Sequence, residues 1–77
     1  QSEVNTSKGR LDCILFAPKQ IFIIEFKVDE SAEKALAQIN EKGYAEPYRT
    51  DGRPIVKIGV NFSSAERTIE EWKVEEE

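Results

Sequence analysis

Histidine and methionine are missing altogether, and cysteine and tryptophan occur once each, as Cys13 and Trp72. Without histidine there is no imidazole base, no histidine-activated nucleophile and no ordinary zinc site. One cysteine cannot close an intramolecular disulfide or supply a cysteine-rich metal site. No apolar run approaches the roughly 18 residues that read as a membrane span, and nothing resembles a signal peptide, so a reducing, cytoplasmic setting without membrane contact is expected. Basic charge is also short: Lys and Arg total 11 against 15 Asp and Glu, a net charge of −4. The chain therefore lacks the footprint by which proteins hold nucleic acid through bulk electrostatics, and any anionic substrate must be met by cations placed locally. Catalysis, if present, falls to carboxylates and lysines.

What is there describes one small folded domain. The 77 residues are 39% hydrophobic and 34% charged, with four glycines and three prolines, which excludes collagen-like and disordered classes. A domain of this size buries only about 60% of its unfolded surface, so its core is thin and a metal, a partner chain or a flanking segment is expected to support it. A chain that opens on Gln1 rather than Met and closes on Glu75, Glu76 and Glu77 suggests a domain of a longer polypeptide.

Residues 11–16 and 21–28 are rich in β-branched and aromatic types, and Ala17-Pro18-Lys19-Gln20 between them carries a turn signal, which predicts a β-hairpin. On the second strand Phe22, Ile24, Phe26 and Val28 share one face and Ile21, Ile23, Glu25 and Lys27 the other. Both faces are largely apolar, as in a central strand covered on both sides. Residues 31–45 predict a helix, with Ser31 as N-cap, Ala32, Ala35, Leu36 and Ile39 at helical spacing, and Gly43 where it frays. Residues 46–54 predict a loop, residues 55–62 a third confident strand, Ser63 to Glu66 a turn, and residues 68–74 a charged edge strand. Val4 and its neighbours suggest a further edge strand. The result is a mixed α/β sheet with one main helix, which leaves the apolar face of residues 21–28 partly bare. A second helix ahead of Gln1 or a partner subunit is expected to cover it.

If the hairpin turn is centred on Pro18 and Lys19, Phe16 lies opposite Ile21 and Asp12 opposite Glu25. Like charges facing across a sheet repel, so such a pair either shares a proton or coordinates a cation. Mg²⁺ or Mn²⁺ is the simplest occupant, since both take oxygen ligands and keep several waters. Lys27 falls on the same face as Glu25, where it can orient an attacking water or stabilise charge on a phosphoryl group. From spacing alone, the plainer explanation of Glu-x-Lys, a solvated ion pair at a strand end, is the commoner one.

Taken together, Gly9-Arg10-Leu11-Asp12, Glu25-Phe26-Lys27, Ser31-Ala32, Ala37-Gln38-Ile39, Gly43-Tyr44-Ala45, Ile58-Gly59-Val60-Asn61-Phe62-Ser63 and Glu71-Trp72-Lys73-Val74 resemble the PD-(D/E)XK nuclease superfamily. The likeness is to its bacterial branch in which such a domain follows an AAA-ATPase-like domain. It implies a restriction-endonuclease-like core, hydrolysis of phosphodiester bonds in nucleic acid, DNA first, and a Mg²⁺ or Mn²⁺ cofactor. It makes Asp12 and Glu25 metal ligands and assigns catalytic roles to Asp12, Glu25, Lys27 and Gln38; Glu3 matches an acidic residue ahead of the aspartate in related domains. Leu11 stands where the motif's name has proline, and the superfamily's opening helix is expected to lie outside this chain.

Arg10, Lys8 and Lys42 are candidate phosphate contacts, against the plainer expectation of solvated surface charge. Tyr44, Tyr48 and Arg49 suit either a base-stacking platform or core and loop packing. Trp72 is expected to plug the core, and Cys13 to be a small buried apolar residue. Two function classes remain: a metal-dependent nuclease, favoured by the Asp, Glu-x-Lys and Gln set, and a nuclease-fold module that no longer cuts. The second, favoured by the acidic balance, would serve assembly with an ATPase domain or pair two copies as a homodimer.

Overall fold

The computed structural model describes the backbone of residues 2–7 and 10–77 and the side chains of residues 13–77. Five strands, β1 (Ser2–Ser7), β2 (Arg10–Phe16), β3 (Ile21–Val28), β4 (Ile55–Ser63) and β5 (Thr68–Glu76), lie side by side in chain order. Helix α1 (Ala32–Lys42) carries the chain from β3 to β4, so that β3 and β4 pair in parallel while every other neighbour is antiparallel. This is the mixed α/β sheet with one main helix that the pattern of apolar residues predicts. Among the described residues no helix is long and apolar enough to cross a membrane.

The ends of α1 follow from local chemistry. Ser31 takes an extended conformation and its hydroxyl accepts the Lys34 amide, satisfying a donor that the helix itself leaves open. At the other end Gly43 adopts φ 67°, its N–H reaches Asn40 O, and the next amide, Tyr44 N, reaches Ile39 O. This left-handed stop ends the helix at Lys42 and not at residue 45 as expected. The expected loop after it contains a 3-10 turn over Glu46–Tyr48, because Pro47 sits in the first turn, where a missing N–H costs nothing.

One sheet face is covered. Ile21, Ile23, Glu25 and Lys27 of β3 are all buried on the side where α1 packs, and Ile21, Ile23, Ile39, Ala45 and Ile55 form the apolar cluster. Gly59 of β4 lets the helix approach: a Cβ there would lie 2.4 Å from Ala32 O and 2.7 Å from Leu36 N. Farther along the same face Lys57 is buried, donating to Asn40 Oδ1 at 2.6 Å and pairing with Glu77 at 2.8 Å.

The opposite face is not covered by any described element. Phe22, Ile24, Phe26, Ile58 and Phe62 are half-buried there and Val28 is exposed, so the coverage of β3 on both sides expected from its sequence holds on one side only. Trp72 is not a core plug. Its register opposite Val60 directs it to this open face, where it is 65% exposed. Cys13 is half-buried, short of the full burial expected.

The link from β3 to α1 is tied to the β4–β5 hairpin at several points. Asp29, at φ 55°, donates its N–H to Phe62 O, and its carboxylate accepts Ser64 N at 3.0 Å and Ser64 Oγ at 2.5 Å. Glu30 N donates to Asn61 Oδ1 at 2.9 Å and Ala32 N to Glu71 Oε1 at 2.8 Å. The Ser64 hydroxyl and amide hold the Asp29 carboxyl below its ordinary pKa of 3.8. A group with a depressed folded-state pKa stabilises above its unfolded value, and that contribution is lost as pH falls through the folded value. Asp29→Asn, which tolerates the left-handed backbone, should therefore be less stable than wild type at pH 6, with the gap closing below about pH 4. Urea midpoints measured from pH 6 to pH 2 check this; a gap independent of pH would mean that the carboxylate charge contributes nothing.

Candidate active site

The hairpin turn sets the first part of the site. Ala17 N donates to Gln20 O at 2.9 Å, Phe16 pairs with Ile21, and the register carries Asp12 opposite Glu25. The backbone thus brings the two carboxylate-bearing positions together. The side chain of Asp12, like those of Glu3 and Arg10, lies outside the described residues, as does the whole of Lys8.

Glu25 is fully buried, level with Gly59 of β4, and Lys27 is 9% exposed, level with Asn61. Burial of an acid and a lysine two residues apart is costly without polar partners. For Lys27 the structure supplies one from α1: Nζ donates to Gln38 Oε1 at 2.8 Å. Gln38 reaches it because Gly59 allows the helix to lie close over the sheet. An ammonium carries three protons, so one committed to Gln38 leaves two for other acceptors. Lys57, the other buried lysine on this face, is instead neutralised by carboxylates at the far end of α1.

Lys27 and Gln38 open onto a cleft of about 240 Å³, whose remaining walls are Glu30, Lys34, Ala37 and Glu41. Lys42 is exposed in the last turn of α1 and is not part of these walls. Tyr44 and Tyr48 pack against the apolar cluster, with the Tyr48 ring edge-to-face on Phe16 at 5.4 Å. Arg49 is engaged by Glu46 and Glu77. The site thus joins Lys27 and Gln38 directly and Asp12 with Glu25 by register, and leaves Lys42 and Tyr44 outside the cleft. Lys34 was legible one helical turn before Gln38, although sequence reasoning did not single it out.

A model of the PD-(D/E)XK nuclease superfamily matches residues 1–72. The chain belongs to that superfamily. An uncharacterised protein in the vnfD 5′ region of Azotobacter chroococcum mcd 1 is 42% identical over 72 residues, covering 91% of this chain and 14% of that protein. The chain therefore spans about one-seventh of the relative's length. No solved structure matches.

PD-(D/E)XK nucleases usually use divalent metals. The donor chemistry here suits such an ion: Asp12 and Glu25 offer oxygen ligands at one register, and a small hard cation needs few protein carboxylates because it keeps waters. Among the described residues no group of three or more histidine, cysteine, aspartate and glutamate side chains converges.

Proposed function

We propose that this chain is a metal-dependent nuclease domain that hydrolyses phosphodiester bonds of nucleic acid, DNA first, in the cytoplasm. The observation that supports it best is the hydrogen bond from buried Lys27 to Gln38, beside a fully buried Glu25 whose register partner is Asp12. A solvated ion pair, the plainer account of Glu-x-Lys, does not explain an ammonium aimed at a helix amide under α1.

Asp12 and Glu25 would hold Mg²⁺ or Mn²⁺, which supplies activation of water and neutralisation of charge on the phosphoryl oxygens. Lys27, with Gln38 fixing its ammonium, orients the attacking water by hydrogen bonding and stabilises negative charge that develops as the P–O bond breaks. The burial of Glu25 and Lys27 keeps bulk water from screening either charge. As partners we propose the nucleic acid substrate and an AAA-ATPase-like domain of the same polypeptide.

The test is calorimetric titration of Mn²⁺ into wild type and Asp12→Ala. Saturable binding in wild type should weaken by at least about a hundredfold in the variant, going beyond the 10–100-fold typical of losing an outer-shell partner. Asp12→Ala should stay folded by circular dichroism. No binding to wild type would overturn the metal-dependent nuclease. The second reading, a module that assembles without cutting, as a homodimer or on the ATPase domain, would then lead. The observation favouring it is the open apolar face, with Val28 44%, Trp72 65% and Val74 53% exposed.

A further inference from the structure

We infer that Lys34 holds the substrate phosphate flanking the one attacked, completing with Lys27 a two-cation seat in the cleft; this rests on the nuclease function proposed above. Lys34 precedes Gln38 by four residues, which puts both on the same face of α1, and both line the cleft with Lys27. Lys27 commits one of its three protons to Gln38, and the Lys34 ammonium has no acceptor among the described residues. Ala37, which also lines the cleft, ends at Cβ and takes little of its volume.

The helix terminus is largely engaged by the protein itself. Ala32 N is taken by Glu71 and Lys34 N by Ser31, so two of the first three amides of α1 are already engaged and the seat is built from side chains. The cleft's carboxylates set its reach. Glu30 lies ahead of Lys34 and Gln38 in the chain, and Glu41 follows them, about 10 Å beyond Lys34 along the axis at 1.5 Å per residue. A polyanion running along α1 would meet both acids. A strand crossing the helix at Lys34 would lie clear of Glu41, one cleft acid fewer than a strand running along the axis meets. The seat therefore accepts one or two phosphates of a crossing strand, consistent with a chain whose net charge is −4.

The experiment compares wild type, Lys34→Gln, Lys34→Arg and Glu41→Gln in the intact protein. It uses a 5′-labelled single-stranded oligodeoxynucleotide, with cleavage followed in Mn²⁺ and binding by anisotropy in EDTA over a salt series. Lys34→Gln should raise KM several-fold with the loss falling on KM more than kcat, and should flatten the log–log salt slope by about 0.7, the value for one phosphate contact to a single strand. Lys34→Arg should restore both, and Glu41→Gln should tighten binding. If wild type cleaves and Lys34→Gln matches it in KM and salt slope, the phosphate seat is overturned and the nuclease stands. If wild type does not cleave yet Lys34→Gln flattens the slope, the seat stands and the nuclease falls.

Discussion

Replacement of Lys27 by methionine should leave the domain folded and lower kcat by about 10²- to 10⁴-fold, the range associated with loss of one positioned proton-transfer or charge-stabilising group. Methionine fills the space of the lysine stem at a site that is only 9% exposed, and the half-buried Gln38 it releases faces the cleft, where water can replace the lost donor. Gln38→Ala should cost less, about tenfold, because the glutamine acts by holding Lys27 and does not itself stabilise the phosphoryl charge. The double variant should be no slower than Lys27→Met alone. Residues that act as one unit are non-additive, whereas two independent contributions would multiply. Single-turnover cleavage with the melting temperature of each variant measures this, and a Lys27→Met enzyme within about twofold of wild type would remove Lys27 from the chemistry.

Gly59→Ala should be the most damaging change to stability. The added methyl would sit 2.4 Å from Ala32 O and 2.7 Å from Leu36 N, both helix backbone, so no side-chain rotation relieves the clash. Overpacking of cores costs about 1–3 kcal/mol and more where backbone must move, and the upper end applies here. For a domain of this length about 3 kcal/mol corresponds to a fall in melting temperature near 15 °C. A population that still folds must lift α1 off the sheet, which draws Gln38 away from Lys27. Thermal unfolding followed by circular dichroism checks the first effect; a shift within about 2 °C would mean that α1 is not held at this distance.

The strands along the chain and the facing of Asp12 and Glu25 were legible because each rests on local signals: alternation of apolar residues, a short Pro-containing turn and the register such a turn imposes. Gln38 was singled out by the family resemblance, and its bond to Lys27 followed once the helix lay on the sheet. Less legible was whatever depends on contacts between elements. The last turn expected of α1 is replaced by a left-handed stop, since Gly43 offers the backbone a cheaper end than three more helical residues. Trp72 was assigned inward because a large aromatic on a charged strand suggests burial, yet a face is buried only if something lies over it. Asn61 drew no attention as a polar residue in an apolar strand. Its role emerges from tertiary structure, where its Oδ1 accepts Glu30 N and its Nδ2 donates to Glu70 at 3.1 Å.

The parallel pairing of β3 with β4 also sets the order of events in folding. The β2–β3 hairpin and α1 are closed by neighbours in sequence and can form early, but Glu25 meets Gly59 and Lys27 meets Asn61 only after the long connection through α1 has closed. Until β4 docks, α1 has no glycine floor on which to descend, and Gln38 has no fixed route to Lys27. Lys27 and Gln38 are only 11 residues apart, yet their contact waits on the docking of β4, so a chain arrested before that docking holds a hairpin and a helix but not the Lys27–Gln38 contact.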